Sequence, residues 1–276
     1  MRVDTITAAD GAAIPVHTVG TGPGVVVLHG AGVSVRDYTR LAERLSSRFT
    51  VHLYNRRGGA DSAPLTGQET AQTDIDDLAA VLAHTGASSV FGHSGGGFVA
   101  MRAGLTLPIE RIATFDGAVA VDGVDFPRAF LAPFDAAVAE GDVVEAIRQV
   151  GMVHPDTAAA KMPRWMQTLG TRAFLHTSWG KQMVELLPTL SPQLHRILDH
   201  EAPASAYASI QAQVLLTYGS RSSRYFKDTA DRLAEALPHA RSLEIPRASH
   251  NTANIAPPRL TDPLADFSAG GLAATA

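Results

Sequence analysis

The stretch that decides the fold runs from Ser89 to Phe98 and reads Ser-Val-Phe-Gly-His-Ser-Gly-Gly-Gly-Phe. It opens with a short apolar run typical of a buried strand and leads into an apolar helical pattern. Between the two, Gly92-His93-Ser94-Gly95-Gly96 fits the pattern G-x-S-x-G, in which small residues flank a serine held in a sharp strand-to-helix turn. A flexible glycine loop would match the letters as well. Because a strand precedes the pattern and a helix follows it, we interpret Ser94 as a nucleophile.

On both sides of this turn, short apolar runs alternate with amphipathic helical patterns. The predicted strands cover 25–28, 51–54, 89–91, 112–115, 213–217 and 242–245. The predicted helices cover 35–45, 70–84, 98–105 and 225–237. Such alternation predicts a mainly parallel, twisted sheet flanked by helices on both faces. We therefore expect an α/β core domain formed by residues 1–120 and 202–276.

Residues 121–201 interrupt the alternation. They show helical segments without a strand pattern, and six prolines punctuate them: Pro127, Pro133, Pro155, Pro163, Pro188 and Pro192. Both tryptophans and four of the six methionines lie here. We expect a helical lid inserted into the core domain, with Trp165, Trp179 and Met166 as candidate substrate-binding residues. The same apolar side chains could equally form the core of the lid itself.

Composition excludes several classes of function. Lys and Arg number 23 against 27 Asp and Glu, so no cationic excess is present to bind nucleic acid. Cysteine is absent, which rules out disulfides, thiolate catalysis and cysteine-ligated zinc. No apolar run is long enough for a signal peptide or a membrane span. We expect a cytoplasmic enzyme with a small-molecule substrate, without a cofactor, a metal or a membrane partner.

Acyl transfer at Ser94 would need two further elements. Backbone N–H groups must stabilise the oxyanion, and the best candidates are Gly95 and Ala31, with Gly32 as a reserve. Leu28-His29-Gly30-Ala31-Gly32 could also be an ordinary glycine turn. A base must take the serine proton, and His250 follows the last predicted strand. His93 is expected to pack beneath the turn.

With the serine turn, His29-Gly30 and His250 in this order, the chain resembles the α/β-hydrolase superfamily over nearly its whole length. Two further segments are similar to a bacterial subgroup. Tyr54-Asn55-Arg56-Arg57-Gly58 followed by Asp61-Ser62 resembles Y-D-R-R-G-x-G-D-S, and 107–116 resembles L-P-I-E-R-L…Y-E-P-P. Asn55 replaces the aspartate, and Gly117-Ala118 replace the prolines. The resemblance implies an α/β-hydrolase fold and a serine hydrolase.

The acid of the catalytic triad departs from the commoner pattern of the superfamily. It usually follows the seventh strand as G-x-x-D, and Ser222 occupies that position here. Some members carry the acid after the sixth strand, where Asp116 matches the glutamate of Y-E-P-P. The resemblance therefore implies a Ser94-His250-Asp116 triad, although Asp116 could instead cap a strand end. Asp228 and Asp231 are poorer candidates because they lie on a predicted surface helix.

The expected function is hydrolysis of a carboxylic ester, thioester or lactone of a small apolar molecule through an acyl-enzyme intermediate. Two alternatives stay open: elimination, cyclisation or acyl transfer at the same site, and a non-catalytic ligand receptor. A serine nucleophile argues against epoxide hydrolase and haloalkane dehalogenase chemistry, in which a carboxylate attacks. Arg56 and Arg57 could bind a substrate carboxylate, but we favour a structural arginine pair.

Overall fold

The computed structural model describes residues 1–153 and 157–271. Its centre is one eight-stranded sheet with the order β1-β2-β4-β3-β5-β6-β7-β8. The strands are β1 Arg2–Thr7, β2 Ala13–Val19, β3 Gly24–Leu28, β4 Thr50–Tyr54, β5 Ser89–His93, β6 Arg111–Phe115, β7 Gln213–Gly219 and β8 Ala240–Ile245. The first two strands are antiparallel to their neighbours, whereas the pairs from β4 to β8 are all parallel.

Helices connect the parallel strands. They are α1 Thr39–Leu45, α2 Ala71–Thr85, α3 Gly95–Ala103, α4 Leu131–Glu140, α5 Val143–Val150, α6 Arg164–Leu175, α7 Ser178–Leu198, α8 Arg224–Ala236, α9 Thr252–Ile255 and α10 Pro258–Ser268. Two apolar clusters cover the two faces of the sheet, one with α2, α3 and α8 and the other with α1 and α10. None of these helices within the described ranges is both long and apolar enough to cross a membrane.

The predicted mainly parallel sheet with flanking helices is confirmed, and all six predicted strands lie within observed ones. The sequence interpretation missed β1, β2 and α10. β1 is an exposed edge strand, and β2 contains Pro15. Three prolines disrupt the helical sequence pattern of α10: Pro257 precedes the helix, Pro258 is its first residue and Pro263 lies inside it. Proline is tolerated in a first helical turn because those N–H groups have no intrahelical partner.

Residues 121–201 hold α4 to α7 and lie between β6 and β7. An isolated parallel bridge joins Val121 to Ala202, where the chain leaves and re-enters the sheet. The four helices share an apolar cluster that includes Phe134, Leu187 and Leu190. Pro188 and Pro192 lie inside α7 and do not end it, because packing of its apolar face outweighs the lost backbone hydrogen bonds. Pro155 lies outside the described residues.

Candidate active site

The serine turn has the backbone that the sequence pattern predicts. Ser94 joins β5 to α3 with φ 53° and ψ −121°, a strained conformation for a non-glycine residue. The flanking glycines are needed because a Cβ on Gly92 would lie 2.4 Å from the carbonyl oxygen of Gly96. A Cβ on Gly96 would lie 2.3 Å from the carbonyl oxygen of Leu28. The turn therefore presses against the end of β3 and holds Ser94 at the carboxyl edge of the sheet.

The two candidate oxyanion donors lie next to each other. A Cβ built on Gly95 would be 3.6 Å from the backbone nitrogen of Ala31, and one built on Gly30 would be 3.1 Å from the Cβ of Ser94. The loop after β3 thus lies directly against the serine turn. Gly32, the reserve candidate, has φ 69° and lies against Leu190 of α7.

His29 fixes this loop as a neutral residue. Its ring is buried, and Nδ1 donates to the carbonyl of Gly30 while Nε2 accepts the backbone N–H of Arg56, at 2.7 and 2.9 Å. Burial, together with the charge of Arg56, lowers the pKa of His29 to about 4. At neutral pH both ring nitrogens are therefore engaged in fixed roles. His29 ties the loop after β3 to the end of β4.

Tyr38 links the same loop to His93. The phenol oxygen accepts the N–H of Gly30 at 3.0 Å and shares a hydrogen bond with Nδ1 of His93 at 2.5 Å. Burial raises the pKa of Tyr38 well above its usual range, so the phenol stays protonated. The His93 ring stacks on Phe115 with centroids 5.7 Å apart and lies 4.6 Å from the ring of His250. His93 therefore packs beside the candidate base and contacts both Tyr38 and Phe115.

The structure brings His250 and Asp116 together. Nδ1 of His250 lies 3.0 Å from Oδ2 of Asp116, which is fully buried at the end of β6. An ionised carboxylate only accepts hydrogen bonds, so Nδ1 carries the proton and Nε2 is the basic nitrogen. The His250 ring also stacks on Phe226, with centroids 4.9 Å apart and planes 12° apart. These two contacts fix both the tautomer and the plane of the ring.

Asp116 receives two more hydrogen bonds from the loop after β7. Gly219 N donates to Oδ1 at 3.0 Å, and Ser222 Oγ donates to Oδ2 at 2.5 Å. Ser222, which occupies the usual position of the acid, thus contacts Asp116, the candidate acid at the end of the neighbouring strand. Asp116 has φ 46°, and its N–H bonds to the carbonyl of Thr217. Backbone strain of this kind is held in place by surrounding contacts and is concentrated at functional sites.

A cavity of about 440 Å³ lies between the serine turn and the inserted helices. Ser94, His93 and His250 line its floor, and Trp179 lines its wall. All four methionines of the insertion also line it: Met152, Met162, Met166 and Met183. A wider outer groove of about 1080 Å³ shares Trp179, Asn251 and Asn254 with this cavity.

Of the three candidate substrate-binding residues, the structure brings Met166 and Trp179 to the cavity and leaves Trp165 outside it. Trp165 is 68% exposed. On α6 the residues that face the cavity follow the spacing Met166, Gly170 and Phe174, and Trp165 lies off this stripe. Tryptophan content alone could not reveal which face of the helix each ring occupies.

Arg56 and Arg57 bind carboxylates of the protein itself. Arg56 forms a bidentate pair with the buried Asp74, which also accepts a hydrogen bond from Arg196 of α7. Burial acts to raise the pKa of Asp74, but the two arginines outweigh it and the pKa is lowered. Arg57 pairs with Asp77 and Asp10. The geometry therefore agrees with a structural role for Arg56 and Arg57. The buried Asp74, held by both Arg56 and Arg196, connects α7 to the core.

Ser222, Tyr38 and Phe226 contact the site but had no assigned role in the sequence interpretation. Ser222 was recognised only as the absence of an acid. Tyr38 carried no signal, because its contact with His93 spans 55 positions of sequence.

Within the described ranges, no group of three His, Asp or Glu side chains comes together in a way that could hold a metal ion.

A doubly covered, mainly parallel sheet with a strained serine turn at its carboxyl edge defines the class of α/β enzymes with a nucleophile elbow. The alpha/beta hydrolase family model matches residues 25–268, and the chain belongs to that family. The predicted superfamily and fold are thereby confirmed.

Individual relatives agree with this assignment. A pimeloyl-[acyl-carrier protein] methyl ester esterase of Chromobacterium violaceum is 31% identical over 240 residues, covering 85% of this chain and 90% of the relative. The crystal structure of an alpha/beta hydrolase from Sphaerobacter thermophilus superposes with a TM-score of 0.79 at 29% identity, covering 96% and 99% of the two chains. An esterase from a Rhodococcus species shares the fold, with a TM-score of 0.72 at 18% identity and coverage of 98% and 99%. The chain is an enzyme of the esterase-like type.

Proposed function

We propose that the protein hydrolyses a carboxylic ester of a small apolar acid, with Ser94 as the nucleophile, His250 as the base and Asp116 as the acid. The hydrogen bond of 3.0 Å between His250 Nδ1 and the buried Asp116 carries the proposal. It leaves Nε2 of His250 basic, in a ring that lines the same cavity as Ser94. Covalent labelling of Ser94 by a fluorophosphonate, read by mass spectrometry, is the test, since it needs no knowledge of the substrate.

The reaction follows from the roles of these groups. Nε2 of His250 takes the proton of Ser94 Oγ as the oxygen attacks the ester carbonyl. The carbonyl oxygen becomes an oxyanion, which the N–H groups of Gly95 and Ala31 stabilise. The bond between the carbonyl carbon and the alcohol oxygen then breaks, and the alcohol leaves with the proton from His250. Water attacks the acyl-enzyme by the same route and releases the acid and free Ser94.

Asp116 supports the base in two ways. It accepts Nδ1–H of His250, which selects the reactive tautomer, and its negative charge stabilises the imidazolium formed during attack. Ser222 and Gly219 each donate a hydrogen bond to this carboxylate and hold its orientation toward His250. We therefore infer that Ser222 is a positioning residue that acts on His250 through Asp116.

Ser222→Ala should lower kcat by about tenfold with little change in KM, because a hydrogen bond to a charged group contributes about 1.5–3 kcal/mol and the other donors remain. Ser222→Thr keeps the hydroxyl and should retain most of the rate. Ser220→Ala is the matched control, since Ser220 Oγ accepts the N–H of Arg247 in the same turn and does not bond to Asp116. Steady-state kinetics on one ester would measure all three. Equal losses in Ser222→Ala and Ser220→Ala would exclude the positioning role.

The cavity suits an apolar acyl group. Its methionines are unbranched and adapt to irregular shapes, and Trp179 forms a rigid wall packed edge-on against Phe174. A volume of about 440 Å³ lies within the range of small-molecule sites. The relative from Chromobacterium violaceum acts on a methyl ester, in which an acyl chain is joined to a small alcohol. We propose that acyl length is selected by the wall around Trp179.

Trp179→Ala should shift preference toward longer acyl chains, because it enlarges the cavity where the chain would lie. The ratio of kcat/KM for a long ester to that for a short one should rise about tenfold, the effect of one or two methylenes in an apolar pocket. Trp165→Ala, on the outer side of α6, is the matched control and should leave the ratio unchanged. Kinetics with a series of p-nitrophenyl esters would decide. Equal shifts in both variants would mean that Trp179 does not select acyl length.

A further inference from the structure

Exposed large apolar side chains are concentrated at one position in the fold. Among the described residues, four of them fall within eight positions that run from just before α6 into the helix: Met162, Trp165, Met166 and Leu169. Trp165 is 68% exposed and Leu169 is 63% exposed. Contiguous exposed apolar patches rimmed by polar residues mark sites of interaction with proteins or membranes.

α6 has two apolar faces. The inner face, with Met166 and Phe174, lines the cavity. The second face carries Trp165, Leu169 and Arg172 at the spacing i, i+4, i+7, which places them along one side of the helix. We call these three residues the α6 outer face. No residue of α6 is fully buried, so the outer face is not part of the lid core.

The segment that carries the outer face has charges of one sign. From 157 to 184 the sequence contains Lys161, Arg164, Arg172 and Lys181 and no Asp or Glu, although the whole chain has a formal net charge of −4. Lys161, Arg172 and Lys181 are exposed. Glu145 of α5, which packs against α6, pairs with Arg148, and Arg164 lies 3.4 Å from it. The outer face therefore carries the cation Arg172, beside Arg164, whose charge Glu145 partly offsets.

We propose that the α6 outer face docks on an anionic lipid surface. A helix that lies in the plane of such a surface buries Trp and Leu near the headgroups while its Lys and Arg contact anionic lipid. Each cation near the surface strengthens partition by about fivefold. Such a helix needs no long apolar run, so the sequence features that argued against a membrane partner do not bear on it.

Sedimentation of the full-length Ser94→Ala protein with vesicles tests the docking without turnover, so its failure is distinct from failure of the esterase proposal. We expect the protein to sediment with phosphatidylcholine vesicles that contain phosphatidylglycerol and not with phosphatidylcholine alone, and added salt should weaken the binding. Trp emission should shift to shorter wavelength on binding, because Trp165 leaves water.

Variants identify the surface. Trp165→Gln with Leu169→Gln should reduce binding at least tenfold, and Arg164→Gln with Arg172→Gln should remove the preference for anionic vesicles. Val3→Gln is the control, because Val3 is 51% exposed on the edge strand β1. No binding by the parent protein, or equal binding by the Trp165→Gln/Leu169→Gln variant, would overturn the proposal. Gel filtration provides a further test. If the parent protein forms an oligomer that only the Trp165→Gln/Leu169→Gln variant loses, a second copy of the chain covers the α6 outer face, and the lipid proposal is overturned.

Discussion

Ser94→Ala is expected to abolish both fluorophosphonate labelling and ester turnover while the protein remains folded. Removing the nucleophile of a serine triad lowers kcat by about 10⁶-fold, because the acyl-enzyme route is lost and only residual stabilisation by the surroundings persists. Ser94 is half-buried in the turn, and alanine removes a single oxygen there. Intact-mass and peptide mass spectrometry would locate the label, and circular dichroism would report the fold.

Neighbouring hydroxyls provide the control for this experiment. Ser249 lies directly before the candidate base, and Ser222 contacts the candidate acid. Neither is expected to be labelled, because neither lies in the strained strand-to-helix turn that exposes a nucleophile. Labelling at another serine, or turnover of Ser94→Ala at the parental rate, would show that the enzyme uses a different nucleophile.

Asp116→Asn is expected to lower turnover by about 10⁴-fold, because an amide in place of the acid allows the wrong histidine tautomer. The fold should survive, since the amide oxygen can still accept the N–H of Gly219. Asp228→Asn and Asp231→Asn are the controls. These two carboxylates pair with Arg224 and Lys227 one turn away on α8. Both should stay near the parental rate.

A second substitution tests the geometry of the acid. Ser222→Asp adds a carboxylate to the usual position after β7, and in the Asp116→Asn background it should restore part of the lost rate. Alone, it should be damaging, because Ser222 Oγ lies 2.5 Å from Asp116 Oδ2 and two carboxylates this close cannot both be ionised. If Asp116→Asn keeps nearly full activity, the base works without this acid, and the triad proposal fails.

The amino-acid sequence by itself determined the sheet and its crossovers. Buried parallel strands read as short apolar runs, and the glycines around Ser94 are required by backbone contacts that no larger residue allows. These are local properties, so they can be read locally. The strands β1 and β2 and the helix α10 were not predicted. Exposure in β1 and proline in β2 and α10 remove the regular apolar pattern by which strands and helices are recognised.

Only the tertiary structure decided which polar and apolar groups meet. Ser222 and Asp116 are 106 positions apart, and they come together because β6 and β7 are parallel neighbours whose carboxyl ends share one edge. Likewise, the composition of the insertion could not separate Trp179, on the cavity wall, from Trp165, on the outside. Composition and periodicity report what a segment contains. The face that a side chain occupies depends on how the helix is rotated by packing against its neighbours, and that rotation is set by contacts distant in the sequence.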